Sequence, residues 1–357
     1  MDEIIVRFTD KEGKERKMEI EEESITSLNL SRQNIITIDF ESLKGLSKLQ
    51  DLDLSNNNMS EIDFTALGDL PELSTLSLFK NNLERVDLQS VVNCSNLREI
   101  NLGSNAISNI DLKPLSKLKK LARVRLFNNQ LIDIDLSAFS NSANLESLEI
   151  ENNKMTNIDL APLSGCTNLL QLNLMYNSLK VLDLNPLSNC VKLKFLYLHH
   201  NDLKEVDLHP LENCSDLRIL RLGGNKIERI DLIPLSACPQ LRRLGLAMNA
   251  IEDLDLSPLS NAKHLSALDI AGNRLSNIDL TPLSKCRELS ELYLFSDHPE
   301  ENQFEEVDVS PLFKCEELED LGVGENLRLV AKASLEKAKE IPLALEELIE
   351  DDRISWI

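Results

Sequence analysis

Aromatic residues make up only 4% of the 357-residue chain, with one tryptophan and three tyrosines, so its core has to be aliphatic. No stretch approaches the roughly 18 apolar residues that a membrane span requires. There is no C-x-x-C pair, the cysteines number seven, and no Walker-type phosphate loop occurs. Zinc clusters of the usual spacing, a complete disulfide framework and nucleotide chemistry therefore lose their simplest signatures. Positive charge is also short: 38 Lys and Arg stand against 60 Asp and Glu, a net charge of −22. A field of that sign repels polyphosphate and anionic lipid, so neither nucleic acid nor a membrane surface is the expected partner. The first 17 residues hold acids from the start and no apolar run, which argues against a secretory signal.

What is present is a period. The segment LQDLDLSNNNMSEIDF begins at Leu49, and its frame restarts every 24 residues from Leu73 to Leu289. A degenerate copy starts at Ile25, and a last one at Leu318 follows a 29-residue step, giving thirteen copies. Within a copy the order is L-x-x-L-x-L-x-x-N-x-L-x-x-I-D-L, commonly followed by x-P-L-S-x-C. A period of this length means stacked units that share one core. The L-x-L alternation sets two leucines inward and the residues between them outward, as a strand demands. The recurrent asparagine, Asn57 through Asn326, can pair its amide with backbone groups where each strand turns. In DLSPLS, Ser257 fits an N-cap and Pro258 a first helical position, so a short helical turn is expected behind each strand.

This frame resembles the leucine-rich repeat family, and its 24-residue copies are similar to the phosphatase-regulator-like class. The resemblance implies an α/β solenoid of about thirteen repeats, with a concave parallel sheet and short helical turns on the convex side. It also implies a non-enzymatic module that binds a protein partner on its concave face. Three parts are expected: a capping β-hairpin over residues 1–23, the repeats over 24–330, and a helical cap over 331–357. The hairpin turns at Gly13 and is expected to pair with the first repeat strand. The cap is expected to hold two short helices, with Trp356 folded against the last repeat.

Two ladders invite chemistry and are better explained as structure. The cysteines, Cys94 to Cys315, share a slot that holds Leu46, Leu70 or Ala262 in other copies, so they fit a small buried apolar site. Seven reduced thiols point to a reducing compartment, and the cytoplasm is the expected location. The aspartates, Asp39 to Asp308, offer one carboxylate per copy, whereas calcium needs six to eight oxygens around one ion. A turn role is expected for them, with no metal and no cofactor. Serine, histidine and aspartate form no catalytic arrangement apart from the repeat frame.

The outward strand positions are not dictated by the fold, so their content is informative. They carry Phe79, Arg125, Phe127, Tyr176, Phe195, Tyr197, His199, His200, Arg221, Arg243, Tyr293 and Phe295. Exposed aromatics with arginine are the usual material of binding hot spots. The eighth to tenth copies add Lys194, Arg218 and Arg242 with no acid at these positions, beside Gly223, Gly224, Gly245 and Ala247. A basic trough between aromatic walls is the result, suited to an acidic segment of a partner bound by a chain that is monomeric on its own. The alternative is a regulator of an enzyme or GTPase that holds a small phosphate or carboxylate ligand in the same trough. The insertion DHPEE at 297–301 is expected to project beside it.

Overall fold

The computed structural model describes residues 4–20, 25–64, 67–295 and 301–357. The chain divides into two compact units, Met1–Asn177 and Ser178–Ile357. Most of the DHPEE insertion, residues 297–300, lies outside the described residues.

Unit 1 opens with an antiparallel hairpin, β1 (Ile4–Asp10) and β2 (Glu15–Ile20), with Gly13 at φ 75° in its turn. Three-residue repeat strands follow: β3 (Ser27–Asn29), then, after β4 (Ile35–Asp39), β5 (Asp51–Asp53) and β6 (Thr75–Ser77). The unit closes with β7 (Glu99–Asn101), β8 (Arg123–Arg125), β9 (Ser147–Glu149) and β10 (Gln171–Asn173). The repeat strands pair in parallel, each aligned with the residue 24 positions on. The hairpin does not join them. Its β1 pairs antiparallel with β4, the five-residue strand that follows β3 in the first copy, with Phe8 opposite Ile38.

Unit 2 repeats the arrangement with β11 (Phe195–Tyr197), β12 (Ile219–Arg221), β13 (Arg243–Gly245), β14 (Ala267–Asp269) and β15 (Glu291–Tyr293). After β16 (Glu306–Asp308), β17 (Asp320–Gly322) pairs with β15 to end the row. A second parallel sheet joins β16, β18 (Arg328–Ala331) and β19 (Ile354–Trp356). The chain end thus holds one α-helix, α1 (Leu343–Glu350), a short 3-10 turn and a strand, not two helices. Trp356 lies in β19, its ring tilted over Phe313, in the back turn of the twelfth copy, at 6.2 Å between centroids.

The core is the leucine frame: Leu196, Leu198, Leu220 and Leu244 are at most 1% exposed. The asparagine ladder stitches it. In unit 1, Asn129 Nδ2 donates to Leu102 O and Leu126 O, both at 3.0 Å, while its Oδ1 accepts from Ile107 N at 3.0 Å. Asn225 does the same in unit 2. Asn302 keeps the role across the 29-residue step, but Asn326 of the final copy is exposed and stands outside the ladder. Each side chain thereby satisfies groups that a strand end would otherwise bury without partners.

The helical turns behind the strands are 3-10, typically five residues with proline second, as in Ser257–Asn261. Their capping oxygen comes from the aspartate ladder and not from Ser257: Asp255 Oδ1 accepts from Ser257 N at 2.8 Å, and Asp87, Asp159 and Asp279 repeat the bond. All seven cysteines are buried. Burial pushes the Cys94 thiol up to about 11 and that of Cys315 to about 12. Among the described residues no group of three or more His, Cys, Asp or Glu could hold a metal ion, and no helix is long and apolar enough to cross a membrane.

Candidate functional site

A trough of about 310 Å³ opens on the strand face of unit 2. Its floor is Gly223, Gly224, Gly245, Ala247 and Ala267, and around it stand His199, His200, Arg221, Arg243, Met248, Asp269, Glu291 and Tyr293. The floor exists because three neighbouring copies carry glycine or alanine at positions where others carry large side chains. Five of the sequence-selected residues meet here: His199, His200, Arg221, Arg243 and Tyr293.

Phe195 and Tyr197 adjoin the trough without lining it. Their rings lie nearly parallel with centroids 6.5 Å apart, Tyr197 meets His199 edge-on at 6.2 Å, and His199 meets His200 at 5.5 Å. The stretch FLYLHH is therefore one aromatic row with Leu196 and Leu198 beneath it. On the other side, the Tyr293 hydroxyl donates to Asp320, a bond that raises the pKa of Tyr293 to about 12. Tyr293 and Phe295 lean onto Gly322 and Gly324, where added Cβ atoms would meet the rings at 2.8 and 3.0 Å. They cover the next copy as much as they wall the trough.

The trough is not uniformly basic, and the reason is reach. Side chains two copies apart can touch when the residue between them is small. Arg243 reaches over Ala267 to Glu291, with Nη2–Oε1 at 2.9 Å and Nη1–Oε2 at 3.3 Å. Glu291 and Asp269 come from the eleventh and twelfth copies, beyond the copies whose basic excess suggests a cationic surface. Arg221 is exposed and has no ion pair or side-chain hydrogen bond among the described residues.

Burial also alters the histidines. It pushes the half-buried His199 down to about 4, with the charges of His200 and Arg221 adding to the effect. His199 is thus neutral at pH 6, and the ordinary histidine titration expected of an exposed contact residue does not apply to it.

The remaining selected residues belong to unit 1. Phe79 and Phe127 meet at 5.8 Å between centroids across Gly103, where a Cβ would come within 2.6 Å of the Phe127 ring. Arg125 is held between Glu99 and Glu149, and Arg123 between Glu99 and Glu146. Tyr176 is 49% exposed.

One feature escapes the repeat frame. The residue that follows each outward row adopts a left-handed backbone, φ 51–57° at Asn56, Lys80, Asn128, Asn152 and Tyr176 in unit 1. Gly224 and Gly272 take it in unit 2, but so do His200 at φ 54° and Met248 at φ 57°. Asn and Gly enter this region readily, whereas bulky residues are held there at a cost. Met248 is missed by sequence reasoning that looks only for aromatics and arginine. Lys80, Ser104, Tyr176 and His200 also depart from Asn or Gly there, so the position alone does not single Met248 out.

The profile "Leucine rich repeat" matches residues 23–83, 71–131, 119–179 and 143–203, and a two-copy profile of the same repeat matches 191–234. The chain belongs to the leucine-rich repeat family. Its fold is similar to that of a leucine-rich repeat protein of Leptospira interrogans, at 20% identity and TM-score 0.78, covering 92% of this chain and 83% of that one. It is also similar to an internalin of Listeria monocytogenes, at 26% identity and TM-score 0.63, covering 85% and 88%. It is similar as well to a plant peptide hormone receptor, RGFR1, in complex with RGF2, at 20% identity and TM-score 0.61, covering 86% and 60%. No curated protein matches the sequence.

Proposed function

We propose that this leucine-rich repeat protein is a non-enzymatic module that binds a polypeptide partner on the strand face of unit 2. The observation that carries the reading is the juxtaposition there of an aromatic row, an arginine without an ion partner among the described residues and a small-residue floor. Aromatic and arginine anchors bury large area at low entropic cost, and a glycine and alanine floor lets a peptide backbone approach closely. A plant hormone receptor of the same repeat fold, solved with its partner RGF2, supports a polypeptide occupant. The partner's charge should be mixed, because Asp269 and Glu291 stand beside Arg221 and Arg243. The same two acids argue against a small phosphate ligand, whose negative charge they repel. A cytoplasmic location and a monomeric state belong to the same proposal, the first supported by the seven buried thiols.

The test is affinity capture followed by calorimetry on the captured protein. Tyr197→Ala should weaken binding by about 2 kcal/mol or more, while Lys285→Ala, in the exposed turn behind the strands, leaves it unchanged. Equal affinity for the two folded variants would put the site on another surface.

A further inference from the structure

Three outward positions in this protein share one arrangement: two side chains 48 residues apart with a small residue between. Phe79 and Phe127 close over Gly103, and Arg243 and Glu291 close over Ala267. Arg221 and Asp269 stand in the same relation across Gly245, since Arg221, Gly245 and Asp269 are successive partners in the strand register. Arg221 leans over that glycine: a Cβ at Gly245 would lie 3.7 Å from Arg221 Cγ. Yet this pair does not close. No contact within 4.0 Å joins the two, although the arginine charge still lowers the Asp269 pKa against the larger effect of burial. The physical difference is one methylene. Glutamate reaches across two copies and aspartate does not.

The opening has defined chemistry on both sides. Arg221 offers only donors, and Asp269 offers only acceptors. Asp269 Oδ1 already accepts from Ala271 N at 3.3 Å, and Oδ2 has no protein partner among the described residues. A lone carboxylate entering here would face Asp269, and a lone ammonium would face Arg221. A carboxamide satisfies both, because its oxygen accepts from the guanidinium while its N–H donates to the carboxylate. We propose that the gap between Arg221 and Asp269 is a socket for an asparagine or glutamine side chain of the bound polypeptide. This rests on the reading that the unit 2 strand face is a protein-binding surface. The occupant is peptidic because the floor is glycine and the aromatic row runs alongside, giving the backbone on either side of the anchor somewhere to lie.

The test uses a phage-displayed random octapeptide library selected on the full chain, with enriched sequences synthesised and titrated. Peptides should share Asn or Gln at one position, and changing it to Glu or Lys should weaken binding at least tenfold. The informative protein variant is Asp269→Glu. It preserves charge, should close onto Arg221 as Glu291 does on Arg243, and should raise the melting temperature while reducing peptide affinity at least tenfold. Arg221→Ala, at an exposed position, should reduce affinity without that stabilisation. Enrichment of Asp or Glu instead of amides, or affinity indifferent to Asp269→Glu, would overturn the socket. Complete displacement of the peptide by millimolar free glycine would overturn it in favour of a small zwitterion. Peptides that depend on Tyr197 but not on Asp269 would remove the socket and leave the binding face standing. Failure of every peptide to depend on Tyr197 would remove both.

Discussion

The two units carry the same scaffold and present different faces. In unit 1 the outward charges are spent on one another: Glu99 takes both Arg123 and Arg125, and Glu149 takes Arg125 again. Its aromatic pair, Phe79 and Phe127, is closed over Gly103. In unit 2 Arg243 is closed onto Glu291 and Tyr293 onto Asp320, while Arg221 and the trough beside it are left open among the described residues. Exposed arginines and aromatics therefore do not by themselves mark a binding surface. Whether they are available is decided by the acids in the adjacent copies and, across a small residue, by the length of the side chain two copies away.

The largest expected effect should be the same in both units, which confines their difference to the face. Leu172→Ala and Leu196→Ala each remove a fully buried side chain, and each should cost about 2–5 kcal/mol in denaturant unfolding. Unequal losses would mean that the cores differ as well. A smaller effect separates the units. Glu99→Ala leaves two half-screened arginines without their shared partner and should cost about 1 kcal/mol. Arg221→Ala in unit 2, with no ion pair to lose among the described residues, should leave stability nearly unchanged.

Met248→Asn sharpens the same contrast. Asparagine enters the left-handed region more easily than methionine, so the variant should gain a few tenths to ~1 kcal/mol. Because Met248 lines the trough and is 37% exposed, the same change should weaken partner binding. Opposite signs for stability and affinity are the expected pair. A variant that is both less stable and equally tight would mean that the methionine is there for packing.

A further contrast concerns pH and runs in opposite directions in the two units. Burial raises the Glu151 carboxyl of unit 1 from 4.5 to about 7, with Glu149 adding to the shift and Arg125 opposing it. Its folded form holds the proton more tightly than the unfolded form, so this contribution is largest at low pH and is lost as pH rises from 4.5 through 7. His199 of unit 2 is lowered from 6.5 to about 4. Its contribution is present above pH 6.5 and is lost as pH falls toward 4. Urea midpoints measured across pH 4–7 should flatten in one direction for Glu151→Gln and in the other for His199→Gln. Changes of the same sign would contradict the assignment of one half-buried acid and one half-buried base.

Much of this was legible in the 24-residue period. The buried leucines, the structural asparagines, the buried cysteines and the turn role of the aspartates all follow from position within a copy, because each is a contact with the same or the adjacent copy. The site was legible in part. FLYLHH could be split into core and face by alternation alone, and Arg221 and Arg243 could be placed on the same face. The pairing of Arg243 with Glu291, and its failure at Arg221 and Asp269, depend on reach across two copies, which a period does not encode. Reading 221, 245 and 269 as one column would have exposed the question. The partner of the N-terminal hairpin and the strand at Trp356 lie where the period ends and ordinary tertiary packing decides.

The central claim is that unit 2, and not unit 1, offers the available face. It is tested most directly by titrating one bound polypeptide, captured or selected, against two double variants of the folded protein. Tyr197→Ala with Arg221→Ala should lower its affinity at least tenfold, while Phe127→Ala with Arg125→Ala should leave it within a factor of about three, a difference of more than ~0.7 kcal/mol. The reverse order, with the unit 1 pair causing the loss, would contradict the account.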